Sequence, residues 1–132
     1  MMNITKTIND YLLENMTLGV DIIYNDLFLN PDGLEIMSRY EPSQAKITEY
    51  IDGSSVGSMQ IAYFVRSDSA NECRNILQAI SDKLDNLKLT DSTDEQTEYI
   101  LSVTTLPNFV SVDDKENVIY TITVNADYKH GE

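Results

Sequence analysis

Residues 46–84 constrain the fold more than any other part of the chain, because a strand, a turn, a second strand and a capped helix follow one another there without a gap. Residues 46–51 alternate as a strand does, and the small residues from Asp52 to Gly57 form a loop. In the next strand, residues 58–66, both faces are largely apolar, because side chains alternate with period two. Such a strand suits the middle of a sheet, or an interface, more than a solvated edge.

The helix that follows has a clear start signal and a continuous apolar stripe. Ser69 and Glu72 match the capping box, in which a Ser hydroxyl and a Glu carboxylate satisfy free amides of the first turn. Apolar residues then recur at intervals of three and four: Cys73, Ile76, Leu77, Ile80, Leu84 and Leu87. The pattern predicts a helix over about residues 69–86 that packs on the sheet through this stripe.

Further elements are predicted on both sides of this block. Residues 5–15 have the spacing of an amphipathic helix, with Asn3 or Thr5 available as its cap. After the second helix, alternating residues predict three more strands, at 99–104, 109–112 and 118–127. The acidic residues 113–117 are predicted to form the hairpin tip between the last two strands.

Two stretches are less regular. Residues 20–29 are apolar without a clean period and receive no assignment. Residues 34–41 read as a short strand, or as one helical turn, ended by Pro42. The polar residues 91–97 are predicted to form a loop that leads into the next strand.

These elements together predict an α+β fold. The sheet is expected to be antiparallel with about four to six strands. Two main helices, at about residues 5–15 and 69–86, are expected to pack on one of its faces. A chain of 132 residues is long enough to bury one core, so residues 1–132 are predicted to form a single domain.

The charge balance narrows the classes of partner. Nine Lys and Arg residues stand against 22 Asp and Glu residues, which gives a formal charge of -13. A nucleic-acid binder normally brings its own cations, so this charge opposes DNA binding. The same acidity suits a protein that must avoid adhering to DNA, or one that mimics it.

The number of cysteines and the length of the apolar stretches limit the cellular compartments that the sequence predicts. Cys73 is the only cysteine, which excludes an intramolecular disulfide or a cysteine-based zinc cluster within one chain and favours synthesis in a reducing cytoplasm. The N-terminus lacks the pattern of a secretion signal. No stretch approaches the apolar length of a membrane span, so no membrane association is predicted.

The residues that could take part in catalysis or bind a metal are predicted to have neither role. His130 is the sole histidine and lies in a terminal segment that is expected to fray, so it is predicted to be neither a general base nor a metal ligand. Cys73 lies on the apolar stripe and is predicted to be a buried filler, not a nucleophile. One acidic group lacks the spacing of a calcium loop and is predicted to be solvated: Asp91, Asp94, Glu95 and Glu98.

Aromatic side chains on strands can form a platform on which nucleic-acid bases stack. In this chain they lack the cationic groove that such a platform needs, and are predicted to pack in the core or against another subunit: Tyr50, Tyr63, Phe64, Tyr99 and Tyr120. The glycine fingerprints of phosphate-binding loops are also missing from the sequence. We therefore predict a protein that is not an enzyme and that uses no metal or cofactor.

Three segments carry a resemblance to a known family. They are residues 46–66, with Tyr-Ile-Asp-Gly at 50–53 and the later Arg66; residues 104–110; and residues 118–128. In these segments the chain resembles the small minor capsid or tail-terminator proteins of long-tailed bacteriophages and prophages. The resemblance extends over roughly residues 4–128.

The resemblance implies a structural virion protein with an α+β fold. It would cap the tail tube and join it to the head connector as a ring, typically a hexamer, assembled in the bacterial cytoplasm. Family members have no catalytic residues, and their hairpin loops contact tail or connector proteins. That property would place an interface at Asp52, Gly53, Ser54, Ser55, Val56 and Gly57. DNA would pass through the ring without specific binding, because acidic groups lining the bore repel its phosphates.

Two other classes remain open. A small acidic DNA-mimic inhibitor of a host nucleic-acid enzyme would explain the charge equally well, and it would bind its target tightly without forming a ring. An unrecognised hydrolase would need a cleft with perturbed carboxylates, for which the sequence carries no pattern.

Overall fold

The computed structural model describes residues 3–20, 22–29, 33–49, 55–103 and 105–131, with the backbone alone for residues 41–49 and 55. Two helices are formed, α1 (Ile4–Asn15) and α2 (Ala70–Leu84). The strands are β1 (Ile23–Asn25), β2 (Glu35–Glu49), β3 (Ser55–Ser67), β4 (Lys88–Thr90), β5 (Thr97–Val103), β6 (Asn108–Val112) and β7 (Val118–His130). The chain is therefore α+β, as predicted.

The strands form one curled, mixed sheet in the order β1-β2-β3-β7-β5-β4, and β6 pairs with β7 beyond the end of β5. The pair β1–β2 is parallel, and the remaining pairs are antiparallel. Seven strands and one parallel pair correct the expectation of a purely antiparallel sheet with fewer strands. The unpredicted strands, β1 and β4, have only three residues each, too few for an alternating pattern to be visible.

Strand β2 corrects a second expectation, because it does not end at Pro42. Its pairing with β3 runs from Glu35 to Glu41, shifts register, and resumes from Lys46 to Glu49. Proline has no amide hydrogen for the ladder, and strands tolerate it at a bulge. The two strands predicted from the sequence are thus one strand interrupted by a bulge.

The predicted loop at 52–57 is also shorter than expected. Ser55, Val56 and Gly57 belong to β3, where they pair with β2 on one side and with β7 on the other. Asp52, Gly53 and Ser54 lie outside the described residues. Pairing on both sides extends β3 by three residues beyond its clearly alternating part.

Both helices begin at the residues that the sequence indicates. Asn3 caps α1, and its side-chain oxygen accepts a hydrogen bond from the Lys6 amide at 3.2 Å. Ser69 caps α2 through a 3.3 Å bond from the Glu72 amide. The Glu72 carboxylate bonds Ser67 Oγ, and Ser67 Oγ in turn accepts from the Ser69 amide at 3.1 Å, so Ser67 mediates the second half of the capping box.

Strand β3 lies between β2 and β7 and is buried on both faces, which confirms the prediction from its two apolar faces. We call the face with Met59, Ile61, Tyr63 and Val65 the inner face, and the face with Gln60, Ala62, Phe64 and Arg66 the outer face. The inner face contributes to a large core that also contains the buried residues of both helices: Ile4, Ile8 and Leu12 of α1 and Cys73, Leu77, Ile80 and Leu84 of α2.

The outer face is covered differently. A smaller apolar cluster contains Met37, Ala62 and Phe64, with Phe28 packed against it. Beside it Arg66 donates to Glu35 Oε2 at 3.1 Å, and both side chains are almost fully buried. In the described part of the chain, no helix is long and apolar enough to cross a membrane.

Candidate interaction surfaces

A groove crosses three adjacent strands at the end of the sheet where β2 turns into β3. Its volume is about 420 Å³, and it is lined by Val56, Gly57 and Ser58 of β3, Glu98 and Ile100 of β5, and Asp127, Tyr128 and Lys129 of β7. We call it the hairpin groove. It includes Val56 and Gly57, two of the residues predicted to form an interface, while Ser55 lies in the strand beside them.

Strand register explains how the groove is built. Lys129 pairs with Val56 on one side and with Glu98 on the other. Two residues along, Asp127 pairs with Ser58 and with Ile100. Alternation places these side chains on the outer face, so an aliphatic group and charges of both signs lie next to one another.

Ile100 is the apolar centre of the hairpin groove, because about half of its side chain is exposed at 51%. The next row of the outer face is polar, with Gln60 Nε2 donating to Asn125 Oδ1 at 2.7 Å. The groove therefore combines one exposed apolar side chain with charged residues of both signs, and a hydrogen-bonded polar pair follows it along the strands. This arrangement fits a side chain or a short segment of another protein better than it fits bond-making chemistry.

A second surface lies beside β1 at one end of the sheet. Ile22, Leu27 and Leu29 are all exposed there, and we call them the β1-side surface. Ile22 precedes β1, whereas Leu27 and Leu29 lie on the loop after it, and the Leu29 amide anchors this loop by donating to Glu35 Oε1 at 2.6 Å. Phe28 stacks under the Arg66 guanidinium at 4.9 Å. The exposed leucines thus sit on an anchored loop.

A third surface is the outer edge of β6. All five residues of this strand are exposed, with Phe109, Val110 and Val112 at 57%, 45% and 55%. Within the described ranges, β6 pairs with β7 alone. Unpaired strand edges are templates for pairing with another chain, and natural proteins usually blunt them with charge. Strand β6 contains no charged residue.

Of the acidic residues near the N-terminus of β5, Glu95 and Glu98 are exposed, whereas Asp91 is buried in a hydrogen-bond network. Asp91 is 3% exposed and accepts hydrogen bonds from the Asn3 amide at 2.7 Å, the Thr93 amide at 2.8 Å and the Tyr99 hydroxyl. Burial opposes the charge, but the bonds from Tyr99, Thr93 and Asn3 outweigh it and lower the pKa of Asp91 below its usual value. The prediction of a solvated loop is therefore wrong for Asp91, which ties the start of α1 to the turn after β4.

His130 corrects the expectation of a frayed tail. It is the last residue of β7 and pairs with Thr97 of β5 and with Ser55 of β3. Its Nδ1 lies 2.6 Å from Thr97 Oγ1 and 3.3 Å from Asp94 Oδ2. Pairing on both sides holds this end of the chain, which terminal position alone does not predict.

Cys73 is fully buried, as predicted. Its Sγ lies 3.5 Å from the Val65 carbonyl and 3.6 Å from the Val118 carbonyl. Burial, together with the nearby Glu72 carboxylate, raises the pKa of the thiol to about 11. The thiolate needed for nucleophilic attack is therefore disfavoured at neutral pH.

Three of the strand aromatics lie where core packing was expected, because Tyr63, Tyr99 and Phe64 are buried. Tyr120 is half-buried, and Tyr50 lies outside the described residues. Across the described ranges, no group of three or more His, Cys, Asp and Glu side chains is placed to hold a metal ion. Neither protein-family models nor curated proteins match this chain.

The sequence pattern missed the residues of β5 and β7, which are five of the eight that line the hairpin groove. Glu98 and Ile100 alternate with the core residues Tyr99 and Leu101, so period two places an isoleucine on the same outward face as a glutamate. A single exposed apolar residue is common on a protein surface, so this pattern alone gave no signal of a groove. Asp127 and Lys129 gave none either, because charged residues at the end of a strand are ordinary.

Proposed function

We propose that this chain is a structural assembly subunit of the tail-terminator type, which works by binding copies of itself and other proteins of a phage tail. One observation carries the proposal. Eight large apolar side chains are exposed in the described part of the chain, and seven of them fall into two groups. The first group is the β1-side surface, and the second is β6 with the neighbouring Leu106.

Grouping is what distinguishes these residues from ordinary surface variation. Single exposed apolar residues are common, whereas contiguous ones mark surfaces that another molecule covers. In the part of the sheet that β6 reaches, the strands run β1-β2-β3-β7-β6, so the two groups lie at opposite edges there, whereas the full strand order ends at β4. Surfaces on opposite sides of a subunit favour head-to-tail contacts, which close into rings when the rotation allows it.

The hairpin groove supplies a third contact in this proposal. It lies next to the β2–β3 turn, the position at which the resemblance implies contact with the tail tube or the connector. Ile100 provides an apolar anchor, and Glu98, Asp127 and Lys129 surround it with charge. Apolar centres with polar rims are typical of protein interfaces.

The charge of the chain suits passage of DNA through such a ring. A formal charge of -13 on every copy makes the assembled surface repel phosphates, so that a genome slides without adhering. In this proposal the DNA is a passing cargo and not a ligand. The two helices remain associated with the core and do not need to move.

Sedimentation velocity and electron microscopy, with and without the tail-tube protein, test the proposal. We expect the chain to form closed rings on the ends of tail tubes. Changing both Leu27 and Leu29 to Glu should abolish the rings, since it adds charge to the β1-side surface without touching the core. The matched control changes both Asn75 and Gln78 to Glu, which adds the same charge at two exposed positions of α2 outside the two groups, and circular dichroism verifies that both variants fold.

The acidic DNA-mimic inhibitor is the alternative that the charge supports. It predicts a monomer that ignores tail tubes and binds a host polymerase or nuclease. A strict monomer with that behaviour would replace the proposal. A monomer observed without tail tubes does not by itself distinguish the tail terminator from the DNA mimic. It favours the DNA mimic only when the chain also fails to form rings in the presence of the tail-tube protein.

A further inference from the structure

The free edge of β6 is chemically more specific than an apolar patch. The strand pairs with β7 from Asn108 to Val112, with a register shift between Phe109 and Ser111. Its other edge faces no strand in the described part of the chain. Backbone amides and carbonyls on that edge therefore offer a ladder of hydrogen bonds to an extended segment.

The strand is also held in place at the turn that follows it and on its paired side. Asp113, the next residue, accepts hydrogen bonds from the Lys115 and Asn117 amides, both at 2.9 Å, which fixes the turn into β7. On its paired side, the Phe109 ring contacts the Tyr120 ring edge to face at 5.8 Å. Arg74 of α2 donates to the Tyr120 hydroxyl at 3.1 Å. A preorganised edge loses little entropy when a partner binds.

Charge indicates the kind of segment that fits. Asp114 and Glu116 are exposed in the turn directly after β6, on either side of one exposed cation, Lys115, so this turn is acidic on balance, and the whole chain has a formal charge of -13. Strand β6 itself contributes apolar side chains and no charge. Complementarity therefore requires apolar residues opposite Phe109, Val110 and Val112, and cations near the acidic turn.

We propose that the edge of β6 accepts an added strand from another protein, supplied by an extended segment that alternates apolar and cationic residues. The inference deepens the proposed function and rests on it in one respect, namely that the chain works by binding other proteins. A second copy of this chain is a poorer donor, because the part of it that would meet β6 in a ring, residues 22–29, contains no cation.

The test is an NMR titration of the isotope-labelled full chain with a capped hexapeptide of alternating lysine and valine. We expect shifts and slowed amide exchange at residues 108–112. A matched peptide of alternating glutamate and valine should bind at least about tenfold more weakly, because it meets the acidic turn with like charge. A lysine–valine peptide with methylated amide nitrogens should also bind more weakly, because it lacks donors for the ladder.

Two variants locate the site on the protein. Val112→Lys places a cation in the proposed contact and should weaken binding of the lysine–valine peptide by about tenfold. Gln78→Lys is the matched control, because it adds the same charge at an exposed position of α2, outside the surfaces described above. We expect this control to bind as the unmodified chain does. Both changes are on the surface, and one-dimensional NMR spectra verify that both variants fold.

Three results would overturn the inference: no binding of the lysine–valine peptide, equal binding of the glutamate or methylated peptide, or shifts confined to another surface such as the hairpin groove. The proposed function fails on a different result, the absence of rings on tail tubes. A chain that forms rings but ignores the peptide loses this inference alone. A chain that binds the peptide at β6 but forms no rings supports the inference about β6 and contradicts the proposed function.

Discussion

The two faces of β3 are both buried, but they are covered by different means. Its inner face packs into a large apolar core with residues from both helices. Its outer face carries a smaller apolar cluster, a buried ion pair and, farther along, a groove that nothing in the described chain fills. The inner face is covered by other residues of the chain, and we call it the closed face. The outer face is covered only in part, and we call it the open face. We expect substitutions on the closed face to change stability and substitutions on the open face to change binding.

The largest expected effect comes from breaking the ion pair on the outer face. Glu35→Ala should lower the free energy of unfolding by about 3–5 kcal/mol, because it leaves the Arg66 guanidinium buried without its carboxylate partner. Urea unfolding followed by circular dichroism measures the loss. Changing Glu35 and Arg66 together to Met should recover most of it. A double variant as unstable as Glu35→Ala would show that packing, not the unpaired charge, is responsible.

The next effect compares two isoleucines, one for each face. Ile80→Ala should lower the free energy of unfolding by about 2–5 kcal/mol, because it removes a fully buried side chain of α2 and leaves a cavity. Ile100→Ala in the hairpin groove is the matched control and should change stability by less than about 1 kcal/mol. Similar losses in both variants, measured by urea unfolding, would contradict the division between a closed and an open face.

A smaller effect depends on pH and concerns Asp91 on the closed side. Its folded pKa lies below the unfolded value, so its contribution is fully present above about pH 4, the ordinary aspartate pKa, and is lost as pH falls through the folded pKa. We expect the stability of the unmodified chain to decrease below pH 4 through this group. Asp91→Asn should be less stable by about 1.5–3 kcal/mol at pH 7 and should lose less on acidification. Thermal unfolding from pH 7 to pH 3 makes the comparison, and parallel pH profiles would count against Asp91 as an ionised anchor.

The smallest effect on stability is expected at the open surfaces. Val112→Lys should change the free energy of unfolding by no more than about 0.5 kcal/mol, because the side chain is exposed on an edge strand. The same change should alter binding strongly, as argued for β6. Differential scanning calorimetry provides the stability measurement. A large loss of stability would indicate that β6 supports the fold and is not held ready for a partner.

Local patterns predicted those parts of the fold that depend on local forces. Caps and periodicity placed both helices, and alternation placed β3 in the middle of the sheet. Pairing between distant segments decided the rest. Pro42 is tolerated because β3 accommodates a bulge, and His130 is held because β5 and β3 lie on either side of it. No single stretch of sequence contains that information.

The candidate surfaces were predictable to a similar degree. Two of the residues at which an interface is predicted, Val56 and Gly57, line the hairpin groove, and the interface itself stays a prediction. The remaining wall comes from β5 and β7, more than 40 positions later in the chain, and only the sheet register brings it there. The β1-side surface could not be predicted from the sequence. It lies in a stretch rich in apolar residues, and no period in that stretch distinguishes buried from exposed positions.

Amide hydrogen exchange of the chain, free and bound to tail tubes, tests the central claim most directly. The account predicts new protection in the bound chain at three places: residues 22–29, residues 108–112 and the strands of the hairpin groove. It predicts unchanged protection in α2, which is already packed against the core. Failure to bind tail tubes, or protection confined to surfaces outside these three, would contradict the claim that other proteins complete the open surfaces.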